Sequence, residues 1–174
     1  EIKYLPIQTP EPGGVTESER VRLLSAAARH GQEDREKARN KFIIAFLFST
    51  GLRISELRLL KVSQLQGEFL RKVQGKGHKF RDVYLSDDTR ELIADYLDWR
   101  QAALMHRWGQ QSFSSSLPVL ITVRNHCTYD DLLMDERTLS WTIRAIATKA
   151  GVPHFTAHVA RHQRCKDIIE RTGD

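Results

Sequence analysis

At 174 residues, 40% apolar and 28% charged, the chain has the size and composition of one soluble domain that can bury a substantial core. Lys and Arg number 27 against 22 acidic residues, a formal charge of +5, which favours an anionic partner without identifying it. No apolar run approaches the roughly 20 residues that span a bilayer, no signal-peptide pattern opens the chain, and Cys127 and Cys165 form no CxxC, so a reducing compartment is the simpler reading.

Residues 1–14 hold prolines at 6, 10 and 12 and a Gly13–Gly14 pair, and read as a linker remnant; a start without methionine reads as a piece of something longer. Thr16 is placed to cap a helix, with Glu19 closing a capping box and Val15 available as a staple. That helix carries Val21, Leu24 and Ala28 on one face and ends near Gly31. A charged patch, Glu33 to Arg39, leads into Phe42-Ile43-Ile44-Ala45-Phe46-Leu47-Phe48, which is apolar on every side and predicts a buried helix.

Gly51 sits where that helix must stop, because glycine enters a left-handed cap without penalty. Arg53 follows at once, and Glu56 is three places on, within reach if the next helix begins here. Leu52, Leu57 and Leu60 can pack back into the same core. A charge beside apolar bulk needs a partner. Either Arg53 and Glu56 are a structural pair at a helix junction, or the arginine is held there for an anionic ligand; on these residues alone the two stand level.

After Leu60 the period changes. Phe69, Arg71 and Val73 alternate with Leu70, Lys72 and Gln74, then Gly75-Lys76-Gly77 makes a tight connection to alternating Arg81, Val83 and Leu85. A β-hairpin with its turn near Gly75–Lys79 is predicted. Arg71, Lys72, Lys76, Lys79 and Arg81 face only Glu68 and Asp82 within it, which favours a phosphate-facing role over a plainly solvated hairpin.

Ser86 caps the next expected helix, whose Leu92, Ile93, Tyr96, Leu97, Leu104 and Met105 form an apolar band that Trp99 and Trp108 extend. Such a band reads as core, since base-stacking platforms need exposed rings. A serine-rich loop from Gln110 to Pro118 precedes Val119–Val123, either a short strand or a lead into the next turn. Leu139, Ile143, Ile146 and Ala150 line another helix closed by Gly151 and Pro153. Thr156 caps a last helix carrying His158, Arg161, His162, Cys165, Ile168 and Ile169. The expected fold is mainly α with a small antiparallel β-sheet inserted after the second helical segment.

His158 and Arg161 lie three apart near the start of that helix, where unpaired N–H groups and the dipole favour an anion. Alone, His-x-x-Arg is better read as a surface pair. Beside the capped Arg53 and the basic hairpin it makes a candidate phosphate cradle.

Three pieces together, Thr50-Gly51-Leu52-Arg53-Ile54-Ser55-Glu56-Leu57, the hairpin Gly75–Leu85 and His158-Val159-Ala160-Arg161-His162, resemble the catalytic domain of the tyrosine recombinase (phage integrase) family, in order and in spacing. The resemblance covers residues 15–174 and implies the family's fold, truncated at the C-terminus. It implies that Arg53 and Arg161 are the two catalytic arginines that grip the scissile phosphate, where forked guanidinium donors suit an oxyanion. It implies that Lys76 protonates the departing 5′ oxygen, that His158 hydrogen-bonds the phosphate, and that Glu56 organises the pocket. His162 is expected to be a packing or hydrogen-bonding group, and Arg71, Lys72, Lys79 and Arg81 to contact DNA. No metal or nucleotide cofactor is implied. The implied partner is double-stranded DNA, with a longer parent assembling as a dimer to tetramer, in a bacterial or phage-type cytoplasm near the nucleoid.

One departure stands out. The family places a nucleophilic tyrosine downstream of His-x-x-Arg, and here Tyr4, Tyr84, Tyr96 and Tyr129 all precede it. The leading expectation is therefore a recombinase fragment holding the electrostatic clamp and lacking the attacking group. The alternatives are a non-catalytic DNA-binding or regulatory protein with a recombinase-like shell, and a type IB topoisomerase-like enzyme. A metal hydrolase is disfavoured by seven histidines scattered without a ligand cluster.

Overall fold

A computed structural model describes residues 13–75, 77, 79–108, 115–122 and 132–173, with the backbone alone at 106–108. Lys76, most of the expected linker remnant, residues 110–114 of the serine-rich loop, Val123 and the Trp108 side chain lie outside the described residues. Among the described residues the elements run α1 (Glu17–Arg29), α2 (Asp34–Thr50), α3 (Ile54–Leu59), β1 (Leu65–Gln66), β2 (Phe69–Gln74), β3 (Phe80–Tyr84), α4 (Asp87–Trp108), α5 (Glu136–Lys149) and α6 (Ala157–Thr172). The fold is mainly helical, with one antiparallel sheet of order β1-β2-β3.

Helix α2 is the axis of the packing and touches α1, α4, α5 and α6. Phe42, Ile43, Ile44, Phe46, Leu47 and Phe48 are all buried, so every face of the helix meets protein. Each such side chain contributes about 1.5–3 kcal/mol by leaving water. Phe42 stacks on Tyr96 of α4 at 4.0 Å, and Phe48 meets Phe155, just ahead of α6, at 5.1 Å. The charged patch from Asp34 onward is the first turns of α2 itself, and Arg39 is buried there, donating to Asn40 Oδ1.

Helix α1 begins as expected: Glu19 N–H donates to Thr16 Oγ1, and Thr16 N–H to Glu19 Oε2. Its buried face is different. Leu23, Ala26 and Ala27 point inward, whereas Val21 and Ala28 are exposed and Leu24 is half-buried. Leu23 with Ala26 and Ala27 makes a narrow stripe in which two alanines let α1 lie close on α2.

The sheet also departs from simple alternation. Strand β2 pairs Leu70 with Val83 but Val73 with Arg81, so one extra residue sits on β2. This bulge places Lys72 at φ 53°, buries Leu70 and Val73 together, and leaves Arg71 and Lys72 both exposed. Asp82 accepts from Lys72 N–H at 2.9 Å and from Arg71 Nη1 at 2.6 Å, and Gln64 Nε2 donates to the carbonyls of Arg71 and Lys72. Strand β1, not expected from the sequence, closes the outer edge of β2 through the turn at Gly67–Glu68.

In α4 the apolar band packs as read, with Ile93, Tyr96 and Leu104 buried; Met105 is the exception and is exposed. Arg100 is buried within that band because Pro118 and Val119 offer it carbonyls at 2.6 and 3.1 Å. Residues 119–121 form no strand: Ile121 makes an isolated bridge to Leu133. Leu139, Ile143 and Ile146 of α5 are buried, as is Ala150 at its end.

Candidate phosphate-binding site

Three chain segments converge on one carboxylate. Gly51 ends α2 at φ 63°, ψ 28°, the left-handed cap that the sequence calls for. A Cβ at Gly51 would stand 3.3 Å from Arg164 Cβ and 3.6 Å from Arg161 Cα, so glycine also lets α6 approach the turn. Arg53 caps α3, and its N–H donates to Glu56 Oε2 at 2.8 Å while its Nη1 donates to Oε1 at 2.9 Å. Arg161 arrives from α6, donates Nη1 to Gly51 O at 3.1 Å, and lies 4.0 Å from Glu56 Oε2.

The strongest partner of Glu56 comes from elsewhere. Arg81 on β3 donates Nη1 to Oε1 at 2.6 Å and Nη2 to Oε2 at 2.8 Å, a forked pair. The sequence reading set Arg81 among the DNA contacts; the structure turns it inward onto Glu56. The signal was present in the parity of the strand, since Arg81 alternates with Val83 and Leu85, which face the core. Gly75, in the hairpin turn, lies directly above: a Cβ there would be 3.6 Å from Arg81 Nη1 and 3.7 Å from Glu56 Oε1. Gly75 is thereby seated against the Arg81–Glu56 pair.

The Glu56 side chain is 1% exposed, while those of Arg53, Arg81 and Arg161 are 49%, 34% and 31% exposed. Burial alone would raise the Glu56 pKa. The Arg81 hydrogen bonds, then the Arg53 N–H and guanidinium, outweigh it and hold the carboxyl at about 2. Glu56 is therefore a fixed anion, and one negative charge organises three positive ones. The surplus positive charge faces open clefts. One, about 410 Å³, is lined by Arg53, Ser55, Glu56, Leu59, Gln74 and Gly75. Another, about 430 Å³, has Gly51, Arg81, Tyr84 and Arg161 on its walls.

His158 is exposed on the first turn of α6, after the Thr156 cap, which accepts from Val159 N–H at 3.2 Å. Its Nε2 lies 2.9 Å from His162 Nε2, so His162 is its hydrogen-bonding neighbour. Lys72 and Lys79 are exposed, and Arg71 is held by Asp82 over the Phe69 ring. On α5, Arg137, Trp141 and Arg144 are exposed at helical spacing, a basic face with a 73% exposed indole that the sequence reading did not single out. Spacing alone could not separate Trp141 from a core position. No cluster of three or more metal-ligating side chains occurs among the described residues, and none of their helices is long and apolar enough to cross a membrane.

Residues 14–174 match the phage integrase family, and the chain belongs to that family. It is 33% identical over 169 residues to the tyrosine recombinase XerD of Bifidobacterium longum, covering 94% of this chain and 51% of that one. Over 68 residues it is 37% identical to XerC of Lactobacillus delbrueckii subsp. bulgaricus, covering 38% of this chain and 23% of the relative. The crystal structure of XerA recombinase superposes with a TM-score of 0.69 at 25% identity, over 100% of this chain and 55% of that one. The chain spans about half the length, or less, of the curated relatives it matches.

Proposed function

We propose that this chain is the phosphodiester-gripping part of a site-specific DNA recombinase. The observation that carries it is the buried Glu56 carboxylate with Arg53, Arg81 and Arg161 ranged around it, two of the three coming from the segments that flank Gly51. Arg53 and Arg161 bind the non-bridging oxygens of one phosphate and oppose the charge that grows on them in the pentavalent transition state. Arg81 and Glu56 hold that pair in place. His158 donates a hydrogen bond to the same phosphate. Lys76 gives its proton to the leaving oxygen.

The attacking oxygen belongs to a tyrosine outside these 174 residues. Its O–P bond forms as the P–O5′ bond breaks, leaving a 3′-phosphotyrosyl link and a free 5′ hydroxyl. Attack by a partner strand's 5′ hydroxyl then reverses the step and conserves the bond energy. Of the two tyrosines among the described residues, Tyr96 does not suit that task. Burial pushes Tyr96 up to about 12, and its hydroxyl donates to Val119 O; Tyr84 stands on the hairpin beside Phe69.

The test is duplex binding by fluorescence anisotropy, with a nicked suicide substrate run in parallel. The 174-residue chain binds duplex weakly and forms no covalent adduct, and Arg53→Gln and Arg161→Gln each weaken binding. The absence of a covalent adduct equally fits a DNA-binding protein with a recombinase-like shell. A longer natural chain that cleaves the suicide substrate separates the two. Binding that ignores both arginines overturns the proposal.

A further inference from the structure

The His158–His162 pair has a geometry that a hydrogen bond does not exhaust. The two residues stand four apart on α6, His158 is exposed and His162 half-buried, and their Nε2 atoms are 2.9 Å apart with the rings 84° from parallel. Imidazole nitrogens bind transition metals at about 2.0–2.1 Å. Two imidazoles one helical turn apart on the same helix can share one such ion once the hydrogen bond between them is broken. We propose that His158 and His162 form a two-point chelate for a divalent transition-metal ion.

An ion enters by outward rotation of both rings, so that lone pairs now directed across the gap converge on one point. The Arg161 guanidinium, on the same helix, is turned onto Gly51 O and Glu56. The positive end of the α6 dipole opposes a cation here, and the chelate effect of two ligands on one helical turn has to exceed that cost. No third His, Cys, Asp or Glu among the described residues completes a cluster, so the ion keeps water in its remaining positions and exchanges readily. The functional consequence rests on the proposed phosphate grip: an ion held at His158 removes that imidazole from the phosphate and weakens DNA binding.

The experiment titrates Ni²⁺ into the tag-free 174-residue polypeptide by calorimetry, following the imidazole resonances by NMR. One equivalent binds, and the rings of His158 and His162 broaden first. His158→Gln and His162→Gln each lower affinity about a hundredfold, as loss of the intramolecular second ligand requires, while Cys165→Ser leaves it unchanged. Thermal unfolding of each variant confirms that it folds, and the wild-type broadening pattern decides the matter if one does not. Wild-type affinity in both His variants, broadening centred on His30 or His154, or no binding overturns the site. Binding at the pair with no change in DNA affinity leaves the metal site standing and removes His158 from the phosphate grip.

Discussion

Arg81 and Glu56, 25 residues apart in sequence, meet through two hydrogen bonds of 2.6 and 2.8 Å and tie the β-hairpin to the turn that carries Arg53. The pair makes the placement of the hairpin and the direction of Arg53 one structural problem with one solution. Glu56 is the shared element, because it also takes the N–H and Nη1 of Arg53.

Glu56→Gln keeps the shape of the side chain and removes the charge that three arginines share. Solvent relieves part of that loss, since all three guanidiniums are partly exposed. The expected destabilisation is about 1–3 kcal/mol, read as a lower urea midpoint. A midpoint unchanged within error would mean that the cluster contributes nothing to folding.

The same residue sets an acid response. Its folded pKa is about 2, below the usual 4.5, so in acid the unfolded chain binds the extra proton. The Glu56 contribution is therefore complete above pH 4.5 and disappears as pH falls through 2. Glu19 and Asp82 shift in the same direction, so the informative quantity is the difference between wild type and Glu56→Gln. Wild-type stability should fall more steeply than that of the variant between those limits. Parallel curves from pH 5 to 2 would contradict the assignment.

Gly51→Ala combines a left-handed backbone with a close neighbour. At φ 63° a Cβ is strained, and it would press on Arg164 Cβ at 3.3 Å. A loss of about 1–2 kcal/mol is expected. Because the same contact seats α6, duplex affinity should drop beyond what lost stability explains, measured at a temperature where both proteins are fully folded.

The hairpin cations should differ in their salt signature. Lys79 is exposed and pairs with no acidic side chain among the described residues, so Lys79→Ala should lower the slope of log K against log salt by about 1. Arg71 is already paired with Asp82 at 2.6 Å, so Arg71→Ala should change the slope less. Equal slopes in wild type and both variants would remove the hairpin from the DNA interface.

Legibility in the sequence followed the range of the interaction. The Thr16 cap, the apolar run Phe42–Phe48 of α2 and the Gly51 stop are set by neighbours within four residues, and each formed as read. The hairpin was visible as two alternating runs. Its bulge was not, because Leu70 and Val73 face the same side only through Lys72 adopting a positive φ, and lysine carries no sign of that. Arg81 and Arg100 turn inward because partners far along the chain accept them: Glu56 for one, the Pro118 and Val119 carbonyls for the other. The buried stripe of α1 was misread because Val21 and Leu23 each begin an acceptable helical pattern, and only packing on α2 chooses between them. In the site, residue identities were legible and the geometry was not: the sequence named Arg53, Glu56 and Arg161 but could not say that one carboxylate collects them.

The most direct test of the arginine grip observes the guanidiniums themselves. In ¹⁵N-labelled protein titrated with a short duplex, the Nε–H resonances of Arg53 and Arg161 should shift in step with binding, while that of Arg100, buried against Val119 O, stays fixed. A titration that moves the hairpin resonances and leaves Arg53 and Arg161 where they began would contradict the account.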